Sequence, residues 1–220
     1  QVYGGTFQLF NVRRMQEQGV ECRWVGDPNN LDEWKSKIDK NTRFLYGELP
    51  SNPGLSFFDL KKVTDLAHEH GLPFIADATV ATPALLRPIE HGADIVVHSV
   101  TKTMTSGGLT IAGAVIARKN IVCNLPNDAL KADFAMYCLL WPNRDSGASL
   151  SPLHAILALN EIRTLRTRID VLSQSSMKVA KFLEQHPKVA KVNYLGLESH
   201  KLHELAKKYM WLVDAKYDAQ

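Results

Sequence analysis

The chain has 220 residues, 45% of them hydrophobic and 22% charged, enough apolar material to bury a globular core. That balance excludes collagen-like, disordered and coiled-coil proteins. The 26 Lys and Arg stand against 23 Asp and Glu, and the net charge of +3 is spread along the chain, with no basic block to grip a nucleic acid or an anionic membrane. A small-molecule substrate is expected instead. The cysteines Cys22, Cys123 and Cys138 show neither CxxC nor Cys/His ligand spacing, so reduced thiols, a cytoplasmic address and no zinc site are expected. Cys123 and Cys138 read as buried small hydrophobes. The most apolar stretch, Leu109 to Ala117, is interrupted by Gly113 and falls far short of the ~20 residues of a spanning helix. Nothing has the layout of a signal peptide.

In chain order, Val20 to Val25 is predicted as a strand, Leu31 to Ile38 as a helix and Thr42 to Tyr46 as a second strand. Asp59 is placed to cap a helix running to His70, with Leu60, Val63, Leu66 and Ala67 on one face and Gly71 ending it. Pro73 to Ala76 is short and wholly apolar, as a strand buried on both faces should be, and ends at a buried Asp77. Asp94 to His98 repeats that design, and Thr110 to Ala117 is predicted as an antiparallel strand after a glycine turn. From Ser151 the texture becomes helical: Pro152 to Arg168, Val171 to His186, a strand at Val189 to Tyr194, and a helix from His200 to Tyr209. The alternation of strands and helices predicts an α/β large domain with a mainly parallel sheet over residues 1–152, and the change of texture predicts the start of a smaller α/β domain over 153–220. The chain opens at Gln1 in mid-pattern and stops at Asp218-Ala219-Gln220 without a finishing element, so both ends are expected to continue.

Ligands of open α/β sheets bind outside the carboxyl ends of the strands. Three such ends carry chemistry: Glu48, Ser51 and Asn52; Asp77 and Thr79; and Ser99, Thr101 and Lys102. The stretch Ser99-Val100-Thr101-Lys102-Thr103-Met104-Thr105-Ser106-Gly107-Gly108 sets an amine among hydroxyls and a flexible turn. A lysine in a protected pocket loses its proton readily and condenses with an aldehyde. Ser99 and Thr101, with nearby N–H groups, could hold a phosphate. Asp77 suits a protonated ring nitrogen. These are the requirements of pyridoxal 5′-phosphate, an electron sink for carbanions.

The same residues carry a resemblance. Tyr3-Gly4-Gly5-Thr6, Glu48-Leu49-Pro50-Ser51-Asn52-Pro53, Asp77-Ala78-Thr79-Val80-Ala81-Thr82-Pro83, the run from Gly92 to Lys102, and Gly196-Leu197-Glu198-Ser199-His200 resemble the signature segments of the Cys/Met-metabolism pyridoxal-phosphate enzymes. These are the cystathionine γ-synthases, γ-lyases and O-acylhomoserine sulfhydrylases. The segments follow in order from Tyr3 to about Met210, and Tyr194 to Tyr209 is most similar to the O-acetylhomoserine sulfhydrylases. The resemblance implies an aspartate-aminotransferase-like (fold type I) large domain. It implies that Lys102 binds the cofactor and shuttles protons, that Asp77 pairs with the ring nitrogen and that Tyr3 stacks on the ring. Asn52 would bond the phenolic oxygen, Ser99 and Thr101 the phosphate, and Thr79 completes the cofactor contacts. The implied reaction is γ-replacement on an O-acylhomoserine by sulfide or a thiol, in a cytoplasmic homo-oligomer, a tetramer built from dimers. A γ-lyase, a cystathionine γ-synthase and a catalytically inactive relative serving as an interaction module are the alternatives.

The chain departs from the family pattern at Ala78 and Val80, where Asn and an aromatic are usual, and at Thr103 and Gly107 to Leu109, where Tyr and a Gly-His-x-Asp turn are common. The family's glycine-rich phosphate loop has no counterpart before Gln1, and its carboxylate-binding arginine would lie beyond Gln220. Other candidates have plainer readings. His68, His70, His98 and His186 lack ligand spacing, and His200/His203 beside Glu204 reads as a solvated helix start. Trp24, Trp34, Trp141 and Trp211 read as core or interface, and Gly107-Gly108 fits neither nucleotide-loop motif, which disfavours a nicotinamide-dependent oxidoreductase.

Overall fold

The computed structural model describes residues 1–105 and 107–210; Ser106, Trp211 and the end of the expected second domain lie outside the described residues. One sheet holds β1 (Leu45–Glu48), β2 (Phe74–Asp77), β3 (Ile95–Ser99) and β4 (Gly113–Ala117) in that spatial order. β1, β2 and β3 run parallel, and β4 returns antiparallel to β3. With a side-chain period of two, Leu45, Phe74, Ala76 and Val96 share one face. They pack into a single core with Leu60, Val63, Leu66 and Ala67 of the helix Leu60–Glu69. Gly47 has to be glycine, since a Cβ there would come within 2.5 Å of the Phe58 ring. The opposite face carries Tyr46, Ile75, Asp77, Val97 and Ser99, all half-buried. Asp77 is therefore less enclosed than its apolar run implies.

The helix Leu60–Glu69 ends as its sequence predicts. Gly71 takes φ 66°, its N–H meets the His68 carbonyl at 2.9 Å, and the Leu72 N–H meets the Ala67 carbonyl at 2.9 Å, the paired bonds of a Schellman cap. At the other end Asp59 accepts the Lys62 N–H at 3.3 Å. The shorter helix Leu31–Lys37 is capped by Asn30, which accepts from Asp32 and Glu33.

β1 starts later than Thr42 because Asp39 Oδ1 accepts the N–H groups of Asn41 at 2.8 Å and Thr42 at 3.0 Å, holding that segment in a turn. Val20 to Val25 is extended but not a strand. It and the outer side of β1 line a cavity of about 680 Å³, so no ladder partner lies against it. The long helices break earlier than predicted, into Pro152–Ile162 and Leu165–Glu184, because the Glu161 carbonyl is taken by the Thr164 N–H at 3.2 Å and its hydroxyl at 3.1 Å. Val189 to Tyr194 forms no strand; Asn193 instead donates to the Gly54 carbonyl at 2.7 Å and meets His200 at 2.8 Å. The last helix among the described residues is His203–Tyr209, starting after a turn in which His200 Nδ1 accepts the Leu202 N–H at 3.1 Å.

Helical turns from Gly4 to Gln18 and from Asp128 to Ser146 have no counterpart in the hydrophobic pattern, and they are largely exposed. Cys22, Cys123 and Cys138 are free and half-exposed, so the last two are not buried hydrophobes. Trp34 is core, whereas Trp24 and Trp141 are exposed. Among the described residues no helix is long and apolar enough to cross a membrane, and no three His, Cys, Asp or Glu side chains group to hold a metal ion.

Tyr209 docks the last helix on the core. Its hydroxyl donates to Asp59 Oδ1 and accepts the Lys61 N–H at 3.1 Å. Burial raises the Asp59 pKa, but bonds from Tyr209, the Lys62 N–H and Lys208 outweigh it and hold the carboxyl below its ordinary 3.8. A depressed carboxylate stabilises the fold above the unfolded value and loses that contribution as pH falls. Asp59→Asn is therefore expected to cost about 1 kcal/mol at neutral pH after solvent screening. The gap in melting temperature between variant and parent should close as the pH drops below 3.8, and a gap constant with pH would count against the ion's role.

Candidate active site

Parallel pairing brings the ends of β1, β2 and β3 to one edge. Glu48 stands in register with Asp77, and Asp77 with Val97, two residues before Ser99 on the same face. The two carboxylates thus sit on neighbouring strands about 4.8 Å apart. Asp77 Oδ1 accepts the Thr79 N–H at 2.9 Å, and Oδ2 accepts the Tyr46 hydroxyl at 3.2 Å. Thr79 Oγ1 in turn accepts the Ser99 N–H at 2.8 Å, bracing the ends of β2 and β3. Burial, then the nearby Asp77 and Glu48 charges, push the Tyr46 phenol well above its ordinary value, so it stays a neutral donor.

Glu48 is 5% exposed. Its Oε2 accepts the Tyr3 N–H at 2.7 Å and its Oε1 the Asn52 N–H at 2.8 Å. Burial raises its pKa against the pull of those two donors. The side chains of Tyr3 and Asn52 are exposed.

Lys102 follows β3 in a turn that its own backbone closes. Its N–H meets the Ser99 carbonyl at 3.1 Å, and the Thr105 N–H meets the Val100 and Lys102 carbonyls at 3.2 and 3.1 Å. Thr101 Oγ1 donates to the Ala112 carbonyl at 3.2 Å and accepts its N–H at 2.9 Å, so this hydroxyl already serves the turn. Val100 and Met104, on either side of the lysine, are buried with Ala158, Leu165 and Ile169. The Lys102 side chain itself is exposed, which corrects the expected protected pocket.

Two residues that sequence reasoning missed hold this loop to the later helices. Arg168 donates to the carbonyls of Thr103 at 2.9 Å, Met104 at 3.0 Å and Glu161 at 3.0 Å. The Glu161 carboxylate accepts the Gly107 N–H at 3.0 and 3.1 Å. Tyr46 was missed too. Its place two residues before Glu48 on a strand, hence on the same face, was the available signal.

Tyr3, Glu48, Asp77, Thr79, Ser99 and Lys102 are thus linked through hydrogen bonds and one ladder pair. Pyridoxal phosphate fits this donor set. Lys102 offers an accessible amine, Asp77 an acceptor-only carboxylate, and Ser99 a half-buried hydroxyl. His98, next to Ser99 on the buried face, has its pKa lowered by burial, and its imidazole has no primary amine to condense with an aldehyde.

A mixed, mainly parallel sheet ending in such a lysine loop agrees with the α/β, aspartate-aminotransferase-like fold that the resemblance implies. The chain belongs to the Cys/Met metabolism PLP-dependent enzyme family, whose profile matches residues 1–214. It is 40% identical over 210 residues to an L-methionine gamma-lyase of Fusobacterium nucleatum subsp. polymorphum, covering 95% of this chain and 50% of that one. It is 35% identical to a homocysteine synthase of Schizosaccharomyces pombe, over 95% of this chain and 53% of the relative. It is 32% identical to an O-acetyl-L-homoserine sulfhydrylase of Corynebacterium glutamicum, over 90% and 50%. The fold superposes at TM-score 0.87 on a Campylobacter jejuni crystal structure described as an O-acetylhomoserine (thiol)-lyase carrying an N′-pyridoxyl-lysine-5′-monophosphate. That structure is 36% identical and matches 96% of this chain and 57% of its own. The chain spans about half the length of the curated relatives it matches.

Arg168→Ala leaves the Thr103 and Met104 carbonyls without their charged donor. A loss of about 2–4 kcal/mol is expected in chemical denaturation. Amide exchange should accelerate between Lys102 and Thr105, and unchanged exchange there would show that the loop holds itself.

Proposed function

We propose that the whole protein catalyses γ-replacement on an O-acylhomoserine, with sulfide or a thiol giving homocysteine or its thioether in sulfur amino-acid metabolism. With O-acetylhomoserine and sulfide the products are homocysteine and acetate. The observation that carries this reading is the convergence of Lys102, Asp77 and Ser99 on one sheet edge, in a family that uses pyridoxal phosphate. The cofactor, when bound, supplies a sink for the charge left on carbon once a proton departs. Lys102 would hold the cofactor's aldehyde, and its amine is placed to take the substrate Cα proton and return protons to the substrate carbons. Asp77 keeps the ring nitrogen protonated through a charge-assisted hydrogen bond. Tyr3 would stack on the ring, Asn52 would bond the phenolic oxygen, Ser99 and, by turning its hydroxyl from the Ala112 carbonyl, Thr101 would hold the phosphate, and Thr79 would complete the cofactor contacts. Exposed Val80 and the exposed, uncharged Gly107 to Leu109 turn leave room for a small nucleophile.

A γ-lyase is the second reading, favoured by the 40% identity to an L-methionine gamma-lyase. Residues 1–152 serve as the cofactor-binding domain and 153–220 open a second one. The assembly is a homo-oligomer, a tetramer built from dimers, working in the cytoplasm on an amino-acid substrate.

Borohydride reduction of the holoenzyme followed by peptide mapping should label Lys102, and a label on another lysine would remove it from the site. Asp77→Asn should lower turnover by at least about a hundredfold while retaining most of the cofactor, as expected for loss of a charge that acts on the reacting ring. Supplying O-acetylhomoserine, O-succinylhomoserine, homoserine and methionine, with sulfide, cysteine or no nucleophile, separates the readings. Homocysteine formed only from an O-acylhomoserine with sulfide supports replacement. Release of 2-oxobutyrate and ammonia from methionine alone overturns it in favour of the lyase, and absence of turnover with bound cofactor favours the inactive relative.

A further inference from the structure

Tyr3 and Asn52 come from distant stretches of chain, and neither side chain is packed into the core. What fixes both is a single buried carboxylate. Glu48 gives one oxygen to each backbone N–H, at 2.7 Å and 2.8 Å. The Asn52 side of this bridge is stiffened from below, where Ser51 is buried, its hydroxyl lies 2.6 Å from that of Ser56, and its N–H reaches the Ser56 carbonyl at 3.1 Å. On the Tyr3 side the chain turns directly into helix, with the Phe7 N–H on the Tyr3 carbonyl at 3.0 Å. Glu48 is also the register partner of Asp77. One rigid strand end therefore fixes three positions relative to one another.

We infer that Glu48 is a positioning residue that sets the Tyr3 ring and the Asn52 amide against the cofactor, acting through their backbone N–H groups. The inference rests on the roles given to Tyr3 and Asn52 above. A carboxylate is the right group for this, because it is acceptor-only and can serve two donors at once. The isosteric amide of Gln keeps one acceptor and turns an NH₂ against the other N–H, so one arm opens with almost no change of shape. Asp keeps the charge but is one methylene too short to reach both.

The test compares the holoenzyme and its Glu48→Gln, Tyr3→Ala and Asn52→Ala variants by the induced circular dichroism of the bound pyridoxal absorption band and by cofactor loss on dialysis. Borohydride-reduced samples, in which the cofactor is covalently retained, give the dichroism at equal occupancy. Glu48→Gln should lower the dichroic signal about twofold or more and speed cofactor loss about tenfold, the scale of one charge-assisted hydrogen bond. Tyr3→Ala and Asn52→Ala should alter the same band. If those two alter it and Glu48→Gln leaves it at the parent value, Glu48 is a structural residue only and the inference fails. If neither Tyr3→Ala nor Asn52→Ala alters it, the roles assigned to those residues fail, and the inference with them. Should Glu48→Gln not fold, Glu48→Asp is read in its place, with the same loss expected and the same null result overturning the idea.

Discussion

The sheet depends on one buried carboxylate at the end remote from the chemistry. Asp94, fully buried at the entrance to β3, accepts His68 Nε2 at 2.7 Å and the Phe74 N–H at 2.9 Å on one oxygen, and the Val122 N–H at 3.0 Å on the other. Those donors belong to the covering helix, to the start of β2 and to the segment after β4. A buried charge tolerates removal of its partners badly, at about 3–5 kcal/mol. Its partners are therefore held in one arrangement. β2 and β3 enter the sheet in fixed register, and the strands beside them leave it at a common edge. The positions of Glu48, Asp77 and Ser99 follow from that register.

At the chemical edge the electrostatics run the other way. Glu48 and Asp77 stand side by side with the same charge, and each is stabilised mainly by neutral donors, namely the N–H groups of Tyr3, Asn52 and Thr79 and the Tyr46 hydroxyl. Like charges a strand apart repel, and dipoles that cannot move away offset the repulsion without cancelling the charge. The edge therefore keeps a negative field, as the role proposed for Asp77 requires. The lysine lies across β3 from it, on a loop whose flanking residues are buried while the amine is not.

The legible parts of this architecture are the ones governed by local rules. The Asp59 cap, the Gly71 stop and the apolar runs ending at Asp77 and His98 locate one helix, two strand ends and the lysine loop, because capping and period-two burial act over a few residues. Val20 to Val25 and Val189 to Tyr194 have the same texture, but a strand exists only where a neighbour completes its ladder, and neither segment has one among the described residues. The helix break before Leu165 is a local event that hydrophobic periodicity does not register, since the Glu161 carbonyl is taken by the Thr164 N–H and hydroxyl. Arg168 reaches the lysine loop across 64 and 65 residues of sequence, and Glu48 reaches Tyr3 across 45. Contacts of that span leave no periodic trace.

Arg168 grips the loop by the carbonyls of Thr103 and Met104, and Glu161 grips it by the Gly107 N–H. Backbone carbonyls are the same in every amino acid, and backbone N–H groups in every one but proline. The side chain at position 103 can therefore be exchanged while the lysine stays where it is, whereas Gly107, where a Cβ would come within 2.5 Å of the Glu161 carboxylate, and Gly108, at φ 65°, are constrained to glycine. This chain already carries Thr103 and a glycine turn where its family commonly has Tyr and a charged turn. A scaffold that separates where the amine sits from what surrounds it leaves position 103 open to change without moving the lysine.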